Sequence, residues 1–143
     1  MGNHRDLQVW QRSHDLAARV DVESRRFLKG NAELADQLRR AAMSVPTNLA
    51  EGSSKGRDGE FGRFINIAIG SAAEADSLLL HAEKVGALSP RVSAELLDEL
   101  TVIRKMLFKL RRAIAPASAV REAYEEEPEP EAYSPEPRGR ETG

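Results

Sequence analysis

The sequence predicts an all-α protein, an antiparallel up-down-up-down four-helix bundle with a disordered acidic C-terminal tail. Three observations lead there. Apolar residues recur at spacings of three and four through four successive segments, and no segment alternates apolar and polar residues as a half-buried strand does. Short runs containing Gly, Asn, Ser or Pro separate the segments, so consecutive helices must turn back and pack side by side. Beyond residue 115 the composition changes: residues 116–143 hold five of the seven prolines, three Arg and eight Glu. That segment has too few aliphatic residues to offset the entropy of ordering it. The expected organisation is a bundle over residues 1–115 and a tail over 116–143.

The first helix is expected over residues 6–28. Val9, Trp10, Leu16, Ala17, Val20, Phe27 and Leu28 form its apolar side, and Gly30-Asn31 punctuates it. The second starts after Asn31, a residue type suited to an N-cap, and reaches Glu51. Gly52 reads as its stop and residues 53–59 as a loop. This helix contains the most distinctive stretch of the chain, QLRRAAMSVPTNLAEG (residues 37–52). Leu34, Leu38, Ala41, Val45 and Leu49 fall on one stripe of it. Pro46 interrupts good helix formers at a cost of ~3 kcal/mol, so a bend is expected there. Gln37, Ser44, Asn48 and Glu51 line one border of the stripe and make a polar seam.

The third helix is expected over residues 58–85, with Phe61, Ile65, Ala68, Ala72, Ala75, Leu79 and Ala82 inward. The alanines, with Gly70, permit close approach to Ala41 and Ala42. Gly86 suits a left-handed helix end, and Ser89-Pro90 supplies an N-cap followed by a first-turn proline. The fourth helix then carries Val92, Leu96, Leu100, Ile103, Leu107, Leu110 and Ile114 inward. Lys109, Arg111 and Arg112 near its end complement the helix dipole before Pro116. Leu97 and Phe108 lie off the main stripe. They read either as scattered exposed residues or as a second apolar surface for self-association.

Catalytic and metal constellations are missing. The chain has no cysteine and no Gly-rich phosphate loop in a strand–loop–helix setting. His4, His14 and His81 share no four-residue spacing, and no Glu-x-x-His occurs, so no metal site is expected. His14, one turn after Trp10, reads as a stacked or border residue. No enzyme activity and no cofactor are expected. The opening residues show no continuous apolar run and no segment is long enough to span a membrane, so a soluble, cytoplasmic protein without membrane partners is expected. Glu51 and Glu74 are expected to meet Arg40, Arg63 or Asn48 between the second and third helices. A network that locks these helices is one reading, and a ligand site is the alternative.

The net charge of −2 conceals an asymmetry. Residues 1–115 hold 18 Lys+Arg against 15 Asp+Glu, whereas the tail carries a net −5. Basic residues cluster within the body, and Arg39, Arg40, Lys55, Arg57, Arg63, Arg104, Lys105 and Arg112 are the candidate contacts for nucleic-acid phosphates. Each cluster alone also reads as an ordinary solvated face. A symmetric oligomer would repeat one cluster around its axis and strengthen the field. The tail reads as a solubilising extension or as a screen over a basic surface.

QLRRAAMSVPTNLAEG, followed by Phe61, Phe64, Ala68, Gly70-Ser71 and Glu74, resembles the four-helix-bundle family of proteins encoded in intervening sequences of 23S ribosomal RNA genes. The opening LQVWQRSHDLA and the pattern of the fourth helix fit it as well, and the likeness spans residues 7–114. The resemblance implies a bundle without enzymatic activity that assembles into a ring- or barrel-like homopentamer. A related branch is the accessory variability determinant of diversity-generating retroelements, a basic pentamer that binds RNA or DNA and works with a reverse transcriptase. This chain departs from that branch in being less basic and in its acidic tail. The resulting expectation is a non-enzymatic homo-oligomeric adaptor that binds nucleic acid. The alternative is a structural, protein-binding assembly.

Overall fold

The four amphipathic segments form four helices in the computed structural model, which describes residues 3–55 and 58–114. They are α1 (Gln8–Ser24), α2 (Ala32–Ser54), α3 (Asp58–Lys84) and α4 (Pro90–Ile114), with 3-10 turns at His4–Asp6 and Lys29–Asn31. No strand occurs among the described residues. Arg57 and the expected tail over 116–143 lie outside them.

Two helix ends differ from the sequence expectation by three residues or more, each for a local reason. α1 ends at Ser24 rather than near Leu28, because the Arg26 and Phe27 amides turn to carbonyls three residues back. Leu28 is then extended and 78% exposed. α2 starts at Ala32 as expected, although the Asn31 side chain makes no capping hydrogen bond. The helix runs unbroken through the buried Pro46 and passes Gly52 to end at Ser54. Gly52 is therefore a contact residue instead of a stop. A Cβ there would sit 2.6 Å from Phe64 Cβ and 2.9 Å from Phe61 Cδ2.

The α3–α4 corner follows the sequence signals closely. Gly86 adopts φ +75°. The Ala87 amide donates to the Ala82 carbonyl at 2.8 Å, closing the end of α3 in the manner of a Schellman turn. The Val92 amide then donates to Ser89 Oγ at 3.2 Å, the expected N-cap of α4.

The helices pack as a closed cycle, α1 on α2, α2 on α3, α3 on α4 and α4 on α1. Across α2–α3 and across α1–α4 the contacts advance in opposite chain directions. Ser44 meets Ser71 while Gly52 meets Phe64, and Arg12 pairs with Glu99 while Arg19 pairs with Glu95. Leu38, Leu49, Ile65, Leu79, Leu96, Leu100, Ile103 and Leu107 are fully buried along the axis. Each contributes about 1.5–3 kcal/mol by leaving water. Ala41, Ala42, Ala68, Ala72 and Ala75 are buried too, so α2 and α3 meet through small side chains. Gly70 does not belong to that contact: it is exposed, and a Cβ there would meet nothing within 4 Å. Leu97 and Phe108 are likewise not free apolar surface but pack, partly buried, against the core.

Surface ion pairs hold the α1–α4 seam. Arg12 Nε and Nη2 grip both oxygens of Glu99 at 2.8 Å, a bidentate fork. Arg19 bonds Glu95 one turn along α4. Hydrogen bonds from these guanidiniums hold the Glu99 and Glu95 carboxyls below their ordinary pKa.

Gly52→Ala should lower stability by about 1–3 kcal/mol, because overpacking against Phe64 outweighs the gain in helix propensity. Gly70→Ala should raise it by up to ~1 kcal/mol, since the added methyl meets nothing. Urea midpoints of the two variants read these opposite signs directly. The depressed Glu99 pKa gives a second outcome. Its stabilisation is complete above the unfolded-state pKa of about 4.3 and is lost as pH falls through the lower folded value. Glu99→Gln should remove that part of the acid limb, by less than about 1 kcal/mol after screening by water. Urea midpoints measured from pH 6 down through the carboxylate range check it.

Candidate nucleic-acid interface

The candidate cations divide into two groups that the fold keeps apart. Arg39 and Arg40 lie on α2 about 22 Å along the helix from Lys55. Arg39 is spoken for: it donates to Ser24 Oγ at 3.1 Å, bonds Asp36, and lies 4.0 Å from Asp21. Arg40 is exposed and lines a shallow groove between α1 and α2 together with Asp21, Met43, Thr47 and Asn48. Two carboxylates already offset the cationic charge at this place.

The second group converges at the opposite end of the bundle, where α2 ends, α3 begins and α4 ends. Lys55 closes α2 and Arg63 stands on the first turns of α3, both exposed. Arg63 lies 4.7 Å over the Phe64 ring, a cation–π contact that directs it along the surface. α4 supplies the rest. From Leu100 to Ile114 it carries Arg104, Lys105, Lys109, Arg111 and Arg112 and no carboxylate. Spacings of four and three place Lys105, Lys109 and Arg112 on one outer stripe, and all three are exposed. Arg104, Phe108 and Arg111 follow the neighbouring edge, toward α3. Arg104 is half-buried, with its Nε enclosed and unbonded.

Arg111 is the most firmly positioned of these cations. Its Nε donates to Asn66 Oδ1 at 2.8 Å. Gly62 clears the space above it, since a Cβ there would stand 3.0 Å from Nη1. Among the described residues no salt bridge engages Lys55, Arg63, Lys105, Lys109 or Arg111, whereas Arg12, Arg19, Arg25, Arg39 and Arg91 are all paired. Glu51 and Glu60 are exposed at the same end and moderate the field. The result is a ridge of positive charge on α4, in which Lys105, Lys109 and Arg111 have no ion pair among the described residues, flanked by Lys55 and Arg63. In the sequence Lys109 and Arg111 belong to the same basic cluster as Arg104, Lys105 and Arg112 and complement the helix dipole, without standing among the named phosphate contacts. Gly62 and Asn66 beneath Arg111 leave no local signal, because that contact joins residues 45 positions apart.

The polar seam forms in part. Asn48 Nδ2 donates to the Ser44 carbonyl at 2.7 Å and to its hydroxyl at 2.9 Å, and Ser44 Oγ reaches Ser71 Oγ at 2.8 Å. Ser71 thus takes the place expected for Glu74 as the α3 partner. Glu51 and Glu74 are exposed, and Gln37 bonds only its own-helix neighbour Glu33 at 3.4 Å. The seam ties α2 to α3 through neutral hydroxyl and amide groups, which offer neither an activated nucleophile nor a general base. His14 stacks on Trp10 with ring centroids 4.7 Å apart, and His4 meets the same indole edge-on at 4.9 Å. No group of three or more His, Asp or Glu side chains could hold a metal among the described residues. No helix among them is long and apolar enough to cross a membrane.

Comparison with known proteins gives a consistent picture. The family model described as 23S rRNA-intervening sequence protein matches residues 5–109. A crystal structure of a protein of unknown function from the S23 ribosomal protein family of Bacteroides thetaiotaomicron VPI-5482 superposes with a TM-score of 0.68. It is 19% identical, and the match covers 73% of this chain and 95% of that one, which establishes a shared fold. No curated protein matches the sequence.

Proposed function

The chain belongs to the 23S rRNA-intervening sequence protein family, and on that premise we propose that it is a non-enzymatic, homo-oligomeric adaptor that holds nucleic acid by its phosphates. The observation that carries this reading is the α4 ridge: five cations over the last fifteen residues of a helix, with no carboxylate among them. Ion pairs engage Arg12, Arg19, Arg25, Arg39 and Arg91, whereas among the described residues none engages Lys105, Lys109 or Arg111, which supports the ridge as the place that meets a polyanion. The interface is Lys105, Lys109, Arg111 and Arg112, with Lys55, Arg63 and Arg104 at its flanks. Arg57 lies outside the described residues and next to them in sequence. Arg39 and Arg40 are secondary. Contacts of this type read phosphate and carry no base specificity. Repetition of one ridge around a ring, the pentamer that the family resemblance implies, would turn a modest local field into a strong one. A reverse transcriptase is one protein such an adaptor could serve.

The opposite end favours a second reading. Leu28 and Val85 stand 78% and 46% exposed in the two links there, an apolar surface suited to a protein contact. The alternative is an assembly protein that binds no nucleic acid.

Fluorescence anisotropy with a short single-stranded RNA across a salt series separates the two. Binding should weaken linearly on a log–log plot, and Lys105→Gln and Lys109→Gln should each reduce the slope by ~0.7. Arg39→Gln should leave the slope unchanged. Absence of binding at ~20 mM salt, where phosphate contacts are strongest, excludes the nucleic-acid reading. Light scattering on the same samples should give a multiple of the 15.8 kDa chain mass, and a monomer at every concentration would remove the oligomer.

A further inference from the structure

The longest-range joint in the bundle, between α1 and α4, carries an apolar groove that stands open among the described residues. Leu7 and Val9 form one wall, and Val102, Met106, Leu110 and Ala113 form the other. Its volume is about 550 Å³. Two cations border it. Arg12 is already bonded to Glu99, whereas Lys109 belongs to the ridge described above. The groove opens where α4 stops: Ala113 lines it, and the helix ends at Ile114.

We propose that this groove receives the protein's own acidic segment, residues 115–143, with Val120 and Tyr124 in the apolar channel and the glutamates that follow against the cations of the ridge. Three observations select this occupant. The first is the tether. The segment follows directly on Ile114, the last residue of α4, two positions after Ala113 of the groove wall. A short tether gives an effective concentration in the millimolar range, so even a weak contact is populated. The second is charge. Residues 116–143 carry a net −5 and meet a ridge with five cations and no carboxylate of its own. Glu125, Glu126 and Glu127 stand in a row, so their charges sum at one place along the segment. The third is apolar content. Val120 and Tyr124 stand four apart, with Glu125, Glu126 and Glu127 directly after Tyr124, and a tyrosine suits a groove that is apolar on its floor and wet at its rim.

The consequence rests on the nucleic-acid reading above. The docked glutamates occupy the ridge, so an incoming strand must displace them. Sparse anions fail to do so, and a dense polyanion succeeds. The segment is an intramolecular competitor that sets a threshold for binding.

The chain's composition supplies the test, because it has one tryptophan and no cysteine. Ala132→Cys in the full chain, labelled with an acceptor dye, reports its distance from Trp10, which adjoins Val9 in the groove wall. Docking predicts strong transfer from Trp10 that falls sharply in the Val120→Ser/Tyr124→Ser double variant and in high salt. Transfer unaffected by both overturns docking. Transfer that disappears when labelled chains are mixed with excess unlabelled chains places the tail on a neighbouring copy and also overturns it. The competition is read separately, by RNA affinity of the Glu125→Gln/Glu126→Gln/Glu127→Gln variant. That affinity should rise ~10-fold at low salt, the factor expected for a site open a tenth of the time. Unchanged affinity overturns the competition. If no RNA binds at all, the functional reading fails, while the transfer measurement still decides whether the segment docks.

Discussion

The close contact between the end of α2 and the start of α3 is the constraint on which the rest of the structure depends. Gly52 lies under Phe61 and Phe64, where no side chain would fit, and buried alanines continue the contact along both helices. Small residues let the two backbones approach, and the large leucines opposite fill the space this leaves on the axis. The same contact fixes the register, with Ser44 beside Ser71 further along both helices. Once α3 is set against α2, Gly62 and Asn66 are set too, and with them the position Arg111 can take. A packing choice at one glycine thereby determines where the charge of another helix is displayed.

Helical periodicity makes the fold legible in the amino-acid order. The stripes of Val9 to Val20, Leu38 to Leu49, Ile65 to Leu79 and Leu96 to Leu107 are the buried residues, and the Gly86 and Ser89 signals mark the ends they form. Signals that depend on a neighbour mislead. Gly52 has the chemistry of a helix stop, yet its place is decided by two phenylalanines on the next helix. Gly70, whose small size suits a close contact, faces outward. Leu97 and Phe108 lie off the ideal stripe but still reach the core, because a helix in a cycle of four touches two neighbours at once.

The candidate site is legible in composition and not in arrangement. Clusters of arginine and lysine are visible in any sequence, but whether each is neutralised depends on carboxylates brought from elsewhere. Arg39 meets Asp21 from α1, while Lys105 and Lys109 meet no carboxylate among the described residues. The glutamates expected in the polar seam show the converse. Glu51 and Glu74 lie near its border in a helical projection, yet serine and asparagine suffice to join the helices, and the charged groups stay in water, where their solvation is better.

The α1–α4 seam has a kinetic consequence. Three of the four helix pairs join segments adjacent in the chain, so their contacts are short in sequence and quick to form. Arg12 to Glu99 spans 87 residues, and closing so long a loop costs entropy that only the finished core returns. The helical cycle therefore zips from its middle outward and is shut by α1 against α4. The joint that folding completes last is also the one that thermal fluctuation opens first.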